Sequence, residues 1–195
     1  MVTNTTIHDN LAKTGGALSI QGGSVLTATN ITIAGNQVSV GGSASGVSCL
    51  GSDSKFIQRN TIIANNTGDV NCAGTGTIID GGNNLRFPTS DASCAGSFGD
   101  PKLGPLGDNG GPTKTMALQH GSAAIDRIPP ENGCGFGITF DQRGVPRPQG
   151  VGCDIGAFEL KTESVPAMSH WSTLLTMTAL GICALILLRR KSAVC

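Results

Sequence analysis

Three segments of the chain can be laid over one another: Asn4-Thr-Thr-Ile-His-Asp-Asn10, Asn30-Ile-Thr-Ile-Ala-Gly-Asn36 and Asn60-Thr-Ile-Ile-Ala-Asn-Asn66. The steps are 26 residues (4 to 30) and 30 residues (30 to 60). Ile7, Ile33 and Ile63 fall in register, and so do the closing Asn10, Asn36 and Asn66. Leu26 corresponds to Phe56, and Gly15-Gly16 matches Gly41-Gly42 across the first step. A repeat of this length is one supersecondary unit that cannot bury its apolar face alone. Period-2 alternation, as in Ile31 and Ile33, puts alternate side chains on one face of a short strand. Stacked at about 4.8 Å, the aligned Ile residues form an interior column. The aligned Asn residues form a corner column, where a short polar side chain tolerates left-handed backbone. The expected fold is all-β, a right-handed parallel β-helix over residues 1–85. A shorter fourth turn is expected after Gly74-Thr75-Gly76, with a strand at Thr77 to Asp80 and an end at Gly81-Gly82-Asn83-Asn84.

Composition agrees. The 195 residues include 29 Gly and no Tyr, aromatics are 4%, and charged residues are 13% against about 25% in ordinary globular chains. Such a chain builds thin strands and tight turns rather than a thick aromatic core. The net charge is zero, so nothing points to nucleic acid. The Asn-x-Thr triplets at Asn4, Asn30 and Asn65 fit glycosylation sequons but follow from the repeat itself. The rung acids and bases (Asp9, Asp53, Asp69 and Asp80; Lys13, Lys55 and Arg59) do not recur in register, so no paired-carboxylate site is expected.

The rungs, with their Gly-Gly pairs, resemble the polymorphic-outer-membrane-protein and pectin-lyase-like β-helices of bacterial surface proteins. After Leu85 the composition changes. DPKLGPLGDNGGPTKTMALQHGSAAID from Asp100 and DQRGVPRPQGVGCDIGAFE from Asp141 resemble the C-terminal module of choice-of-anchor Q proteins. That resemblance implies a module at 86–160 between a β-helix and an anchoring tail, with no enzymatic activity. Met116 stands where the family often has His, and His120 where Pro is usual. A Ser122/His120/Asp126 triad lacks a nucleophile elbow. Asp141, Arg143, Arg147, Asp154 and Glu159 bring two guanidinium groups near three carboxylates, because Arg forks match carboxylates. An ion-pair network holding a cap over the last rung is expected, with a carbohydrate or phosphate site as the alternative. The Asp108-Asn109-Gly110-Gly111-Pro112 turn lacks the alternating acids of a calcium loop.

Five of the seven Cys precede residue 160, without C-x-x-C spacing and with scattered His8, His120 and His170, so neither a metal nor a cofactor is expected. Proximity pairs Cys72 with Cys94 and Cys134 with Cys153, leaving Cys49, and points to an oxidising compartment. Each loop would contribute about 3 kcal/mol. The alternative is five small, half-buried apolar side chains.

The tail reads VPAMSHWSTLLTMTALGICALILLRRKSAVC from Val165. Residues 161–171 are a linker and motif. Ser172 to Leu188 would span about 26 Å as a helix, slightly short of a hydrocarbon core of about 30 Å. A transmembrane helix at 172–191 is expected, with Trp171 at one interface and Arg189, Arg190 and Lys191 as the cytoplasmic stop, so the body lies outside. The tail resembles the Ile-Pro-Thr-Leu-type sorting signals of Gram-negative bacteria, through Pro166, Ser169 and Trp171 with Val165 for Ile. Ala167, Met168, His170 and Ser172 depart from it. That resemblance implies an exosortase-type membrane protease as partner. Met1 is followed by VTNTTIHDN, which is not a signal peptide. An N-terminal truncation is therefore expected, unless the tail itself directs insertion. Together these features predict a non-enzymatic, exported envelope or surface protein displaying a β-helix for adhesion or matrix scaffolding, with an extracellular glycan or matrix as ligand. The alternative is a fragment of a β-helical polysaccharide lyase or hydrolase whose catalytic rungs lie elsewhere.

Overall fold

The computed structural model describes residues 1–161 apart from 69 and 132. It is a parallel β-solenoid of about three turns. The first turn holds β1 (Val2–Ile7), β2 (Leu11–Thr14) and β3 (Leu18–Ile20); the second holds β4 (Val25–Ala34), β5 (Gln37–Ser43) and β6 (Val47–Cys49). The third holds β7 (Lys55–Arg59), β8 (Ile62–Ala64) and β9 (Cys72–Ala73). Then come β10 (Thr77–Asp80), β11 (Leu85–Phe87) and β12 (Ser97–Phe98), followed by an antiparallel pair, β13 (Leu103–Gly107) and β14 (Thr115–Leu118).

The register matches the repeat. Ile7 pairs with Ile33 and Ile33 with Ile63, while Leu26 pairs with Phe56. The alternation sorts neighbours to opposite faces. Ile31, Ile33, Phe56 and Ile63 fill the interior with Val47 and Cys49, whereas Ile62 belongs to a second core outside the coil. Each fully buried Ile or Phe contributes roughly 1.5–3 kcal/mol. The fourth-turn strand at Thr77–Asp80 forms as expected, and β11 and β12 extend the sheet beyond residue 85.

The corners differ from expectation in one respect. The left-handed residues are the opening asparagines Asn4, Asn30 and Asn60, joined by Asn83, with φ of 45°, 53°, 48° and 54°. A second left-handed column, Asp9, Gly35 and Asn65, immediately precedes the closing asparagines. The closing residues themselves make a side-chain ladder. Asn10 donates from its backbone N and its Nδ2 to Asn36 Oδ1 (3.2 and 2.9 Å). Asn36 does the same to Asn66 Oδ1 (2.9 and 3.0 Å), and Asn66 Nδ2 donates to Asn71 Oδ1 (2.7 Å). The preceding residue takes the turn, which leaves the next amide free to tie rung to rung.

The glycine-pair alignment is corrected. Ala12 pairs with Val38 but Thr14 with Ser43, so one residue, Lys13, faces the four residues Ser39–Gly42. Gly15 and Gly16 therefore donate to Ser43 and Ala44 carbonyls, while Gly41-Gly42 lies in a bulge that leaves Val40 fully exposed. Both expected disulfides form, Cys72–Cys94 and Cys134–Cys153, with Cα separations of 5.1 and 5.8 Å. Cys49 is a free thiol in the interior, where burial pushes its pKa up.

Residues 99–160 do not simply close the last rung. They lie along the side of the coil and touch all three turns. Thr6 Oγ1 donates to Gln142 Oε1 (2.7 Å), Ala157 N donates to Thr32 Oγ1 (3.1 Å) and Gly156 N donates to Asn60 O (2.9 Å). Thr6, Thr32, Ile62 and Leu85 stand in one register column, and its apolar end packs with Ile128, Ile155 and Phe158. Gly156 makes this approach possible. Its φ is +100°, and a Cβ there would sit 2.8 Å from both Ile62 Cδ1 and Thr32 Oγ1.

Candidate functional site

The five residues singled out between Asp141 and Glu159 converge on one buried knot. Asp141 opens a tight turn. Its Oδ1 accepts from the backbone N of Arg143 (2.8 Å) and Val145 (2.9 Å). Its Oδ2 accepts from Arg143 Nε (2.9 Å) and Nη2 (2.7 Å) and from Glu159 N (2.9 Å). The Arg143 guanidinium lies 3.5 Å from the centroid of the Phe158 ring, a cation–π arrangement. Arg147 Nη1 donates to Glu159 Oε2 (2.7 Å) and Asp154 O (2.8 Å), and Nη2 donates to Gly156 O (2.7 Å). Glu159 also accepts from the backbone N of Gln149 (3.0 Å) and Asp154 (2.9 Å). Asp154 accepts from Asp126 N (2.8 Å) and Leu160 N (2.6 Å).

Three carboxylates face two guanidiniums, so one negative charge is in excess in a dry site. Side-chain exposure is 0–7% for both ion pairs. Burial, then the charge of Asp154, lifts the Glu159 carboxyl to about 7 against the pull of Arg147 and the N–H donors. Burial also raises Asp154 and lowers Arg147. With its lone pairs and nearly all its donors taken internally, the knot presents no surface to a ligand. Its chemistry is positional. It fixes the stretch that carries Gly156 and Ala157 onto the coil, a lateral brace where a lid over the last rung was expected.

The other candidates do not assemble. Ser122 Oγ accepts from Ala124 N (3.1 Å), Asp126 Oδ1 accepts from Gly152 N (3.0 Å), and His120 is exposed on its turn; no hydrogen bond joins the three. Asp80 Oδ1 is used by Gly82 N and Asn84 Nδ2. Asp9 is exposed beside His8 (Nδ1 to Oδ2, 3.4 Å), Asp53 is exposed next to Ser52, and Asp69 lies outside the described residues. In the 108–112 turn, Asp108 Oδ1 accepts from Gly110 N (3.1 Å). Among the described residues no group of three or more His, Cys, Asp or Glu could hold a metal ion.

A second feature was not foreseen. The segment 134–140 straps across the left-handed asparagine corner. Asn60 Nδ2 donates to Cys134 O (3.0 Å) at one end, and Asn4 Nδ2 donates to Phe140 O (2.9 Å) at the other. Phe136 is 38% and Phe140 52% exposed, and the Arg59 guanidinium lies 4.8 Å from the Phe136 centroid. Two phenylalanines in so aromatic-poor a chain were the available signal. Their placement beside rung residues needed the topology.

The motif residues Val165, Pro166, Ser169 and Trp171 and the stop Arg189, Arg190 and Lys191 lie outside the described residues. Among the described residues no helix is long and apolar enough to cross a membrane. In comparison with known proteins, the chain matches no family model, no curated protein and no solved structure. The family resemblances therefore rest on the motifs alone.

Proposed function

We propose that the chain is a non-enzymatic envelope protein that displays its β-solenoid outside the cytoplasm for adhesion or matrix scaffolding. The observation that carries this reading is the pair of disulfides, Cys72–Cys94 within the coil and Cys134–Cys153 within the brace. Disulfides persist in oxidising compartments. The buried knot supports it as well, because the clustered charged groups serve the fold rather than chemistry. Delivery is by the tail. A transmembrane helix at 172–191 with the Arg189-Arg190-Lys191 stop holds the body outside, and the Val165, Pro166, Ser169 and Trp171 motif is read by an exosortase-type protease. The pectin-lyase-like resemblance and the choice-of-anchor Q resemblance belong to the same reading.

The test is mass spectrometry of alkylated protein from intact cells, with external protease added before lysis. Recovery of the Cys72–Cys94 and Cys134–Cys153 peptides, from a body that external protease removes, is the expected outcome. Reduced cysteines in a body shielded from protease would refute display. An intact Cys195 on mature surface protein would refute cleavage of the tail.

A further inference from the structure

We infer that Asn65 is the attachment point of an N-linked glycan, a modification site that goes beyond surface display and does not depend on it. Of the three Asn-x-Thr triplets, this is the one whose amide and hydroxyl the fold leaves open to an enzyme.

The brace consumes the other two. Asn4 Nδ2 donates to Phe140 O (2.9 Å), and Thr6 Oγ1 donates to Gln142 Oε1 (2.7 Å). Asn30 and Thr32 are each 1% exposed, and Thr32 Oγ1 accepts from Ala157 N (3.1 Å). An N-glycan is bulky and needs an amide at the surface.

The repeat does not explain the third triplet. Asn4 and Asn30 stand in the opening column, which continues with Asn60 and Asn83. Asn65 stands in the second left-handed column, where the earlier turns carry Asp9 and Gly35 (φ of 58° and 70°, against 54° at Asn65). That backbone is open to glycine and aspartate as well, so it does not call for asparagine. Thr67 bridges to Gln37, and Gln37 pairs with Leu11, so its column calls for no hydroxyl. The expectation that the triplets follow from the repeat is corrected at Asn65.

The turn presents both groups. Asn65 and Thr67 are exposed, while Asn66 between them is turned into the ladder, where its Nδ2 donates to Asn71 Oδ1 (2.7 Å). Backbone bonds hold the flanking pair in place. Gly35 N donates to Asn65 O (3.2 Å), Thr67 N to Asn36 O (2.7 Å) and Val38 N to Thr67 O (3.2 Å). Neither the Asn65 amide nor the Thr67 hydroxyl has a hydrogen-bond partner among the described residues. Gly68, which follows Thr67, lines an open cleft with Val38 to Gly42, so a sugar has room.

The co-substrate is a glycosyl donor activated as a diphosphate ester. The bond between Asn65 Nδ2 and the anomeric carbon forms. The bond from that carbon to the phosphate oxygen breaks, its electron pair leaves on the diphosphate, and one Nδ2 proton passes to a base of the transferase. The Thr67 hydroxyl, two residues on, is the recognition group.

The experiment is mass spectrometry of the protein purified in detergent from its native cells, intact and after trypsin. The tryptic peptide 60–86 should carry sugar on Asn65, while Asn4 and Asn30 stay bare. A single sugar marks a nucleotide-linked donor, and a longer glycan transferred whole marks a lipid-linked one. Thr67→Ala should lose the adduct completely, and Thr67→Ser should keep it. Both variants change an exposed side chain and are compared with both disulfides intact; the wild-type peptide map carries the test without them. A bare Asn65, an adduct that survives Thr67→Ala, or equal occupancy at Asn4 or Asn30 would overturn the site. A bare Asn65 in a body that external protease still removes would leave surface display standing, so the two failures are distinguishable.

Discussion

At the scale of single residues, buried amides and one buried carboxyl carry the specificity of the fold. Asn36 Oδ1 accepts two bonds from Asn10, and its Nδ2 reaches Ile7 O and Asn66 Oδ1. Replacing it leaves buried groups on both neighbouring rungs without partners. Asn36→Ala should cost about 2–4 kcal/mol by urea unfolding, whereas Asn10→Ala, at the exposed end of the ladder, should cost less than about 1 kcal/mol. Glu159 gives a pH dependence of definite sign. Its carboxyl rises from 4.5 to about 7 on folding, so the folded state binds the proton more readily. Stability from this group is complete below about pH 4.5 and falls as pH rises toward 7, by up to about 3 kcal/mol. Urea unfolding from pH 4.5 to 7.5 should show that decline, and Glu159→Gln should flatten it. A stability that rises over the same window would contradict the assignment.

At the scale of elements, the disulfide and the brace can be tested separately. Cys72–Cys94 closes a loop with a sequence separation of 22, and Cys72→Ala/Cys94→Ala should lower stability by about 3 kcal/mol. Gly156→Ala adds a Cβ into Ile62 and Thr32 at a left-handed backbone position. Detachment of the brace should follow, seen as faster proteolysis between 99 and 160 while the interior rungs stay protected. The rungs themselves were legible. Ile7, Ile33 and Ile63 hold the same place in three similar segments, and steps of 26 and 30 residues each suit one turn of a coil. The bulge at Ser39–Gly42 was not, since two glycine pairs look alike in sequence and only register separates them. The residues of the knot were legible as a charge cluster because Asp141, Arg143, Arg147, Asp154 and Glu159 lie within nineteen positions. Their partner surface was not. Thr32 and Asn60 are more than ninety residues from Gly156, and nothing local marks them as its seat.

At the scale of the whole molecule, the described residues form one compact unit. Its two apolar cores share the sheet between them: Ile63 faces the interior and Ile62 the brace. A solenoid normally relies on neighbour-to-neighbour contacts. Here Thr6, Thr32 and Asn60, on three successive turns, are also bonded to one C-terminal segment. That lateral tie couples the three turns through a single segment. The most direct measurement is native-state hydrogen exchange of the Gly156 and Ala157 amides, which donate to Asn60 O and Thr32 Oγ1, beside the ladder amides of Asn10 and Asn36. The expected result is that Gly156 and Ala157 exchange as slowly as Asn36, with the free energy of global unfolding. Fast exchange at 156 and 157 with Asn36 still protected would contradict the lateral brace.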